Sequence, residues 1–74
     1  MDLSTALSLV LKKYRLNLNL SQEELAFKSN LDRTYISMLE RGKRKPTLET
    51  IFKICESLEI STSQFINEIE CLLK

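Results

Sequence analysis

Three neighbouring polar residues near the middle of the chain, Arg33, Thr34 and Tyr35, could recognise the edges of nucleic-acid bases. A guanidinium group bonds guanine in a bidentate manner, and threonine offers a hydroxyl to a base edge or its methyl group to thymine. Tyrosine adds a ring and a second hydroxyl. The same run could instead be a solvated helix start, with Arg33 paired to Asp32 and Tyr35 packed against the domain. The surrounding elements decide between these interpretations.

Groups suited to phosphate binding flank this run on both sides. Gln22 and Ser37 carry neutral hydrogen-bonding groups, and three consecutive cations, Lys43, Arg44 and Lys45, follow the only glycine of the chain. Free backbone N–H groups at a helix start also attract phosphate, which would add to the contact made by Gln22. Basic runs are commonly just solvated loops, but this one comes directly after the helix that is predicted to begin with the base-reading run. We therefore predict that these five residues contact phosphates. The base contacts are those of Arg33, Thr34 and Tyr35.

Charge is distributed unevenly along the 74 residues. Residues 1–45 contain nine basic and five acidic residues, a net charge of +4, whereas residues 46–74 contain two and five, a net charge of −3. A dipolar chain of this kind turns its basic side toward a polyanion. The alternative is that charges are scattered at random in a short sequence. The uneven charge therefore supports binding to a nucleic acid only in combination with the predicted contact residues.

Several kinds of chemistry are disfavoured by residues that the chain lacks. It has no histidine, and Cys55 and Cys71 belong to no Cys-x-x-Cys pair. We expect no catalytic residues, no metal site, no cofactor and no small-molecule ligand. Both cysteines fall on apolar helical faces, which predicts buried reduced thiols in a bacterial cytoplasm. The apolar runs are too short to cross a bilayer and the start is not that of a signal peptide, so we expect no membrane partner.

Apolar residues recur at three- and four-residue spacing along the whole chain, which predicts helices and disfavours strands. We predict one all-α domain over residues 1–74 with five helices. The first ends near Leu18, the second covers 22–29, the third covers 33–41, Pro46 and Thr47 open the fourth, and the fifth runs to about Leu73. The predicted inward face of the fourth consists of Leu48, Ile51, Phe52, Cys55 and Leu58.

Capping residues mark where these helices start and stop. Ser21 with Glu24 predicts a capping box at the start of the second helix, and Asp32 is the predicted cap of the third. Asn19 and Asn30 are predicted stops because asparagine tolerates a left-handed backbone.

The second and third helices have the spacing of a helix-turn-helix over residues 22–41. Ala26 is small where the third helix would cross the second, and four apolar residues point inward: Leu25, Leu31, Ile36 and Leu39. An ordinary helical hairpin imitates parts of this pattern. Because packing accounts for the inward residues, the base-reading run is left on the outward face, where the start of such a helix enters the major groove of DNA.

The fifth helix is apolar on more than one face, which predicts a homodimer with a dimerisation region of about 48–74. The predicted interface residues are Ile54, Phe65, Ile66, Ile69 and Leu73. A dimer would hold two recognition helices about 34 Å apart and select a near-palindromic operator in double-stranded DNA. The alternative is a terminal helix with a few surplus apolar residues.

Leu20-Ser-Gln-Glu-Glu-Leu-Ala, the run Leu31-Asp-Arg-Thr-Tyr-Ile-Ser-Met-Leu-Glu-Arg-Gly and Lys43-Arg-Lys-Pro-Thr-Leu resemble the Cro/phage-repressor-like (XRE) helix-turn-helix family over about residues 8–66. The resemblance implies a lambda-repressor-like fold. Residues 30–37 look most like controller proteins of restriction–modification systems. That likeness implies a homodimer on operator repeats upstream of its own gene and the endonuclease gene, activating at low occupancy and repressing at high occupancy.

The resemblance also implies an ion pair between Arg15 and Glu40 that ties the first helix to the third. The chain departs from the family where Asn19, Asn30 and Glu59 stand at positions that often hold glycine. The competing hypothesis is an antitoxin or other helix-turn-helix module that acts mainly through a protein partner. An enzyme is disfavoured by the missing catalytic groups.

Overall fold

Five α-helices make up most of the computed structural model, which describes all 74 residues. They are α1 (Leu3–Asn17), α2 (Gln22–Lys28), α3 (Arg33–Glu40), α4 (Leu48–Ser57) and α5 (Thr62–Leu73). The all-α fold class is confirmed. The radius of gyration of 11.0 Å matches the roughly 11 Å of a compact domain of this length.

The first three helices each end one residue earlier than the sequence pattern predicts. Leu18, Ser29 and Arg41 are the C-caps, whose N–H groups still bond helical carbonyls. A cap belongs half to the helix and half to the turn, so the difference is one of definition.

Side-chain caps fix most of the helix starts. The capping box at α2 is complete: Ser21 Oγ accepts from the Glu24 N–H at 3.0 Å, and Glu24 Oε1 accepts from the Ser21 N–H at 2.8 Å. The hydrogen bond from the Ser21 backbone N–H, followed by the Ser21 side chain, favours the ionised carboxylate and holds the pKa of Glu24 below its ordinary value. At the starts of α4 and α5 a single capping bond is present, since the hydroxyl oxygens of Thr47 and Ser61 accept from the N–H groups of Thr50 and Gln64. Asp32 occupies the N-cap of α3 but makes no capping hydrogen bond.

The core lies where α1 packs on α3 and α5, α2 packs on α3 and α4, and α4 packs on α5. Fourteen buried apolar side chains form one cluster: Ala6, Leu7, Val10, Leu11, Leu25, Ala26, Ile36, Leu39, Ile51, Ile54, Cys55, Leu58, Phe65 and Ile69. A buried hydrogen bond of 2.9 Å from Ser29 Oγ to Ser57 Oγ joins the ends of α2 and α4. The helix-turn-helix is therefore built into the core of the domain.

The predicted inward face of α4 is wrong at two positions. Leu48 is 69% exposed and Phe52 is 56% exposed, whereas Ile54 takes part in the core. Residues 51, 54, 55 and 58 form a stripe at helical spacing, and Phe52 lies about 100° around the helix from that stripe's first member. Leu48 lies in the first turn of the helix. Both therefore contribute apolar surface to the outside of the domain.

The two thiols also differ from each other. Cys55 is buried as predicted, and its burial raises the pKa of the thiol. Cys71 is exposed near the end of α5, so the prediction of a buried thiol is wrong there. It lines a surface cleft between α1 and α5, together with Leu9 and Leu72.

Left-handed residues end four of the helices. Asn19 and Asn30 have φ values of 58° and 56°, as their predicted role as stops requires. Gly42 follows α3 with φ 70°, and Glu59 takes φ 60° between α4 and α5. Glutamate has no side-chain group that favours this conformation, so the α4–α5 turn carries backbone strain.

Replacing Glu59 by glycine is expected to raise the free energy of unfolding by about 1 kcal/mol, because glycine adopts positive φ without the Cβ clash. Urea unfolding of the wild type and of Glu59→Gly measures this difference. Lys53→Gly, in the regular part of α4, is the control and should lower the stability by about 1 kcal/mol. Equal loss in both variants would contradict the strained turn.

Candidate nucleic-acid interface

Four residues, 29–32, join α2 to α3 in a tight turn. The N–H of Leu31 donates to the Ala26 carbonyl at 2.8 Å, across the left-handed Asn30. Ala26 itself is buried at the crossing. Its small side chain lets α3 approach α2 closely, and the turn fixes the angle between the two helices.

The inward side of α3 packs against the rest of the core. Ile36 and Leu39 are fully buried, with Leu25 of α2 against them in the same cluster. Rotation of α3 about its axis would expose these side chains, so its outward side is fixed as well. The first turn of the helix then presents a defined set of side chains to the outside.

The structure places the three candidate base-reading residues together on that first turn. Arg33 and Thr34 are exposed and Tyr35 is half-buried. Arg33 makes no ion pair with Asp32, since the two ion pairs of the chain are Lys13–Glu68 and Arg15–Glu40. Tyr35 packs partly against the core, so the packing interpretation is right for part of its side chain, and base reading by the exposed part stays a prediction.

A hydrogen-bonded cluster behind α3 contains the implied ion pair. Glu40 accepts from Arg15 Nε at 2.6 Å and from Arg15 Nη2 at 2.9 Å, a bidentate arrangement. Arg15 Nη1 also donates to the Leu20 carbonyl at 2.7 Å. The two side chains are 9% and 3% exposed. The bond to Glu40 is the main cause that raises the pKa of Arg15 above its ordinary value.

Gln22 also belongs to this cluster. Its amide nitrogen donates to Glu40 Oε1 at 3.1 Å. An amide has two N–H donors and one acceptor oxygen, so one donor and the oxygen remain for a contact outside the protein. Sequence reasoning missed this bond because Gln22 and Glu40 are 18 residues apart and no local pattern joins them. The Glu40 carboxylate thereby orients a predicted phosphate-binding side chain.

The cationic run lies in the loop between α3 and α4. Lys43, Arg44 and Lys45 are all exposed, and the Lys43 N–H donates to the Met38 carbonyl at 2.8 Å as the loop leaves α3. The Arg44 guanidinium lies over the Tyr35 ring, 5.1 Å from its centroid. Ser37 is half-buried one turn into α3. The loop therefore brings positive charge beside the first turn of α3.

The predicted dimer interface needs correction. Ile54, Phe65 and Ile69 are 1%, 0% and 4% exposed, so they fill the core of the monomer and offer no surface to a partner. The prediction is wrong for these three residues because the most apolar positions of α4 and α5 are those that the monomer needs. Ile66 and Leu73 remain exposed.

An apolar surface does remain on this side of the molecule. Leu48 and Ile66 line two adjoining clefts, one of which is completed by Leu3 and Leu73 and the other by Phe52. We call these five exposed residues the apolar patch. The sequence alone could not identify Phe52 as exposed, because apolar residues lie on more than one side of α4.

Other kinds of site have little support in the structure. No group of three or more His, Cys, Asp and Glu side chains is arranged to hold a metal ion. None of the five helices combines the length and the apolar content needed to cross a bilayer.

Comparison with known proteins places the chain among regulators. The helix-turn-helix family matches residues 11–65. The control protein C.BamHI of Bacillus amyloliquefaciens is 45% identical over 49 residues, which are 66% of this chain and 60% of that protein. The control protein C.SmaI of Serratia marcescens is 39% identical over 66 residues, which are 89% of this chain and 79% of that protein.

Solved structures give the same picture over the whole chain. The wild-type restriction–modification controller protein C.Esp1396I is similar with a TM-score of 0.89 at 43% identity, covering 100% of this chain and 96% of that one. A second structure shows C.Esp1396I bound to a 19 base pair DNA duplex, with a TM-score of 0.89 at 40% identity, covering 100% of this chain and 99% of that one.

Arg15→Ala is expected to lower the free energy of unfolding by about 3 kcal/mol, because it leaves the buried Glu40 carboxylate without its charged partner. Lys13→Ala is the matched control on the same helix, since its ion pair with Glu68 is largely exposed. Loss of the Lys13–Glu68 pair should lower the free energy of unfolding by about 1 kcal/mol or less. Thermal and urea unfolding measure both, and an Arg15→Ala protein as stable as Lys13→Ala would contradict the role given to the buried pair.

Proposed function

The chain belongs to the XRE-type helix-turn-helix family and is similar to restriction–modification controller proteins. From this family and from the surface described above, we propose that it regulates transcription as a homodimer on a near-palindromic operator. The observation that carries this proposal is the exposed first turn of α3, with a cationic loop at its side. C.Esp1396I, which is similar over the whole chain, is solved on a DNA duplex, and this supports double-stranded DNA as the partner of that surface.

The first turn of α3 enters the major groove in this proposal. Arg33 bonds guanine, and Thr34 and Tyr35 contact the neighbouring bases. Donor and acceptor patterns in the major groove distinguish all four base pairs, so three polar side chains suffice for selective contacts. The fixed rotation of α3, set by Ile36 and Leu39 in the core, keeps these side chains on the groove side.

Phosphate contacts hold the register of this docking. Gln22 uses the amide N–H that is not bonded to Glu40. On the other side of α3, phosphates of the DNA backbone are bound by Ser37 and by the cations Lys43, Arg44 and Lys45. Such contacts release counterions, so the affinity should fall steeply with salt. They carry little sequence information by themselves.

The apolar patch is the dimer interface in this proposal. Its residues come from α4, α5 and the start of α1, so the dimerisation region of about 48–74 is extended by Leu3. Exposed apolar residues that adjoin one another mark interaction sites more often than chance surface does. The net charge of −3 over residues 46–74 keeps this half away from DNA. Helix-turn-helix and dimerisation region thus belong to one domain over residues 1–74.

The likeness to controller proteins supports a more specific role. We propose that the dimer controls a restriction–modification operon that includes its own gene, as an activator at low and a repressor at high occupancy. Occupancy-dependent control of this kind requires that sequence-specific binding and dimerisation both respond to protein concentration, and this proposal assigns different side chains to the two contacts.

Arg33→Ala is expected to lose about 1–3 kcal/mol of discrimination between the operator and a scrambled duplex, since it removes a bidentate base contact. The measurement is a titration of the upstream DNA at several salt concentrations. Lys12→Ala, which removes a cation of α1 outside the predicted contacts, serves as control and should keep the discrimination. Equal binding of wild type to operator and scrambled DNA would overturn the regulator proposal and favour the module that acts through a protein partner.

Phe52→Glu is expected to weaken the dimer by about 100-fold, because it places an unpaired charge in an apolar contact. Sedimentation velocity over a concentration series measures the change. Leu16→Glu is the matched control, since Leu16 of α1 is 52% exposed and lies outside the apolar patch. A wild-type protein that stays monomeric at all concentrations, or equal effects of both variants, would contradict the proposed interface.

A further inference from the structure

We propose that Arg44 is a positioning residue for base reading, in that its guanidinium holds the Tyr35 ring at the DNA-facing surface while its N–H groups stay free for a phosphate. This inference rests on the proposed function, and it concerns a residue whose predicted role was phosphate binding alone. It joins two contact groups, one on α3 and one in the following loop, into a single unit.

The geometry of the pair supports this assignment. The Arg44 guanidinium carbon lies over the Tyr35 ring, 5.1 Å from the centroid. Cations within about 6 Å of an aromatic centroid are attracted by the negative face of the ring. Tyr35 is only half-buried, so packing against the core holds one side of the ring and Arg44 supplies a contact on another.

Arg44 has no competing partner in the protein. The two ion pairs lie elsewhere, and no side-chain hydrogen bond uses its N–H groups. A guanidinium stacks through its face and donates through its edge, so the two contacts do not exclude each other. Lysine could not combine them, because its ammonium is a compact point charge without a planar face.

A consequence is that Arg44 contributes to specificity as well as to affinity. A phosphate contact alone weakens binding to all sequences alike when it is lost. A residue that fixes the Tyr35 ring instead alters the contrast between correct and incorrect base pairs at the position that Tyr35 reads. This difference separates the two roles experimentally.

The first measurement uses the free protein. Three-bond NMR couplings report the side-chain rotamer of Tyr35, and Tyr14, the only other tyrosine, serves as internal reference. We expect one dominant Tyr35 rotamer in the wild type and averaging among rotamers in Arg44→Ala. Lys45→Ala, which removes one cation from the same loop, should leave the Tyr35 rotamer unchanged.

The second measurement uses single base-pair substitutions through the operator, with dissociation constants for the wild type, Arg44→Ala, Tyr35→Ala and the double variant. Arg44→Ala should reduce discrimination about two- to fivefold, the equivalent of an exposed cation–π contact. The loss should occur only at base pairs where Tyr35→Ala also reduces it, and should vanish in the Tyr35→Ala background. Lys45→Ala should weaken binding to all sequences equally.

Each other outcome overturns the inference. An unchanged Tyr35 rotamer in Arg44→Ala would show that packing alone holds the ring. A uniform loss of affinity, or the same loss of discrimination with and without Tyr35, would reduce Arg44 to a phosphate contact. A wild-type protein that binds all sequences equally would overturn the proposed function and this inference together, whereas failure of the variants alone would leave the proposed function standing.

Discussion

Glu40 receives three hydrogen bonds from two other helices, and the geometry of the proposed DNA-facing side depends on them. Arg15 of α1 holds both carboxylate oxygens and Gln22 of α2 bonds one of them, while Glu40 itself ends α3. A buried carboxylate is tolerated only when its partners are in place. The cluster therefore fixes where the end of α3 lies relative to the start of α2. The same bond that satisfies Glu40 also orients the amide of Gln22.

Packing and the proposed base contacts use opposite sides of the same short helix, α3. Ile36 and Leu39 hold α3 in the core, which leaves its first turn free of structural duties except for the packed side of Tyr35. The division continues along the chain, since the loop after α3 carries the cations, and the last two helices with the start of α1 carry the apolar patch. In this 74-residue chain the core, the proposed DNA contacts and the proposed partner contacts rest on largely different side chains.

Local signals in the sequence were enough to predict the helices, because caps such as Ser21 with Glu24 and stops such as Asn30 act within a few residues. They were not enough to assign the faces of α4. Apolar residues lie on more than one side of that helix, and only its packing shows that Ile54 points inward and Phe52 outward. The third donor to Glu40 was missed for a related reason, since it depends on how α2 and α3 meet.

The claim that the first turn of α3 reads base sequence is tested most directly by methylation interference on the upstream DNA. Methylation of guanine N7 blocks the bidentate contact assigned to Arg33. The account predicts interference at guanines in two symmetry-related half-sites about 34 Å apart. It also predicts that those guanines lose their effect in an Arg33→Ala protein. Interference spread evenly over all guanines, or a pattern identical in both proteins, would contradict it.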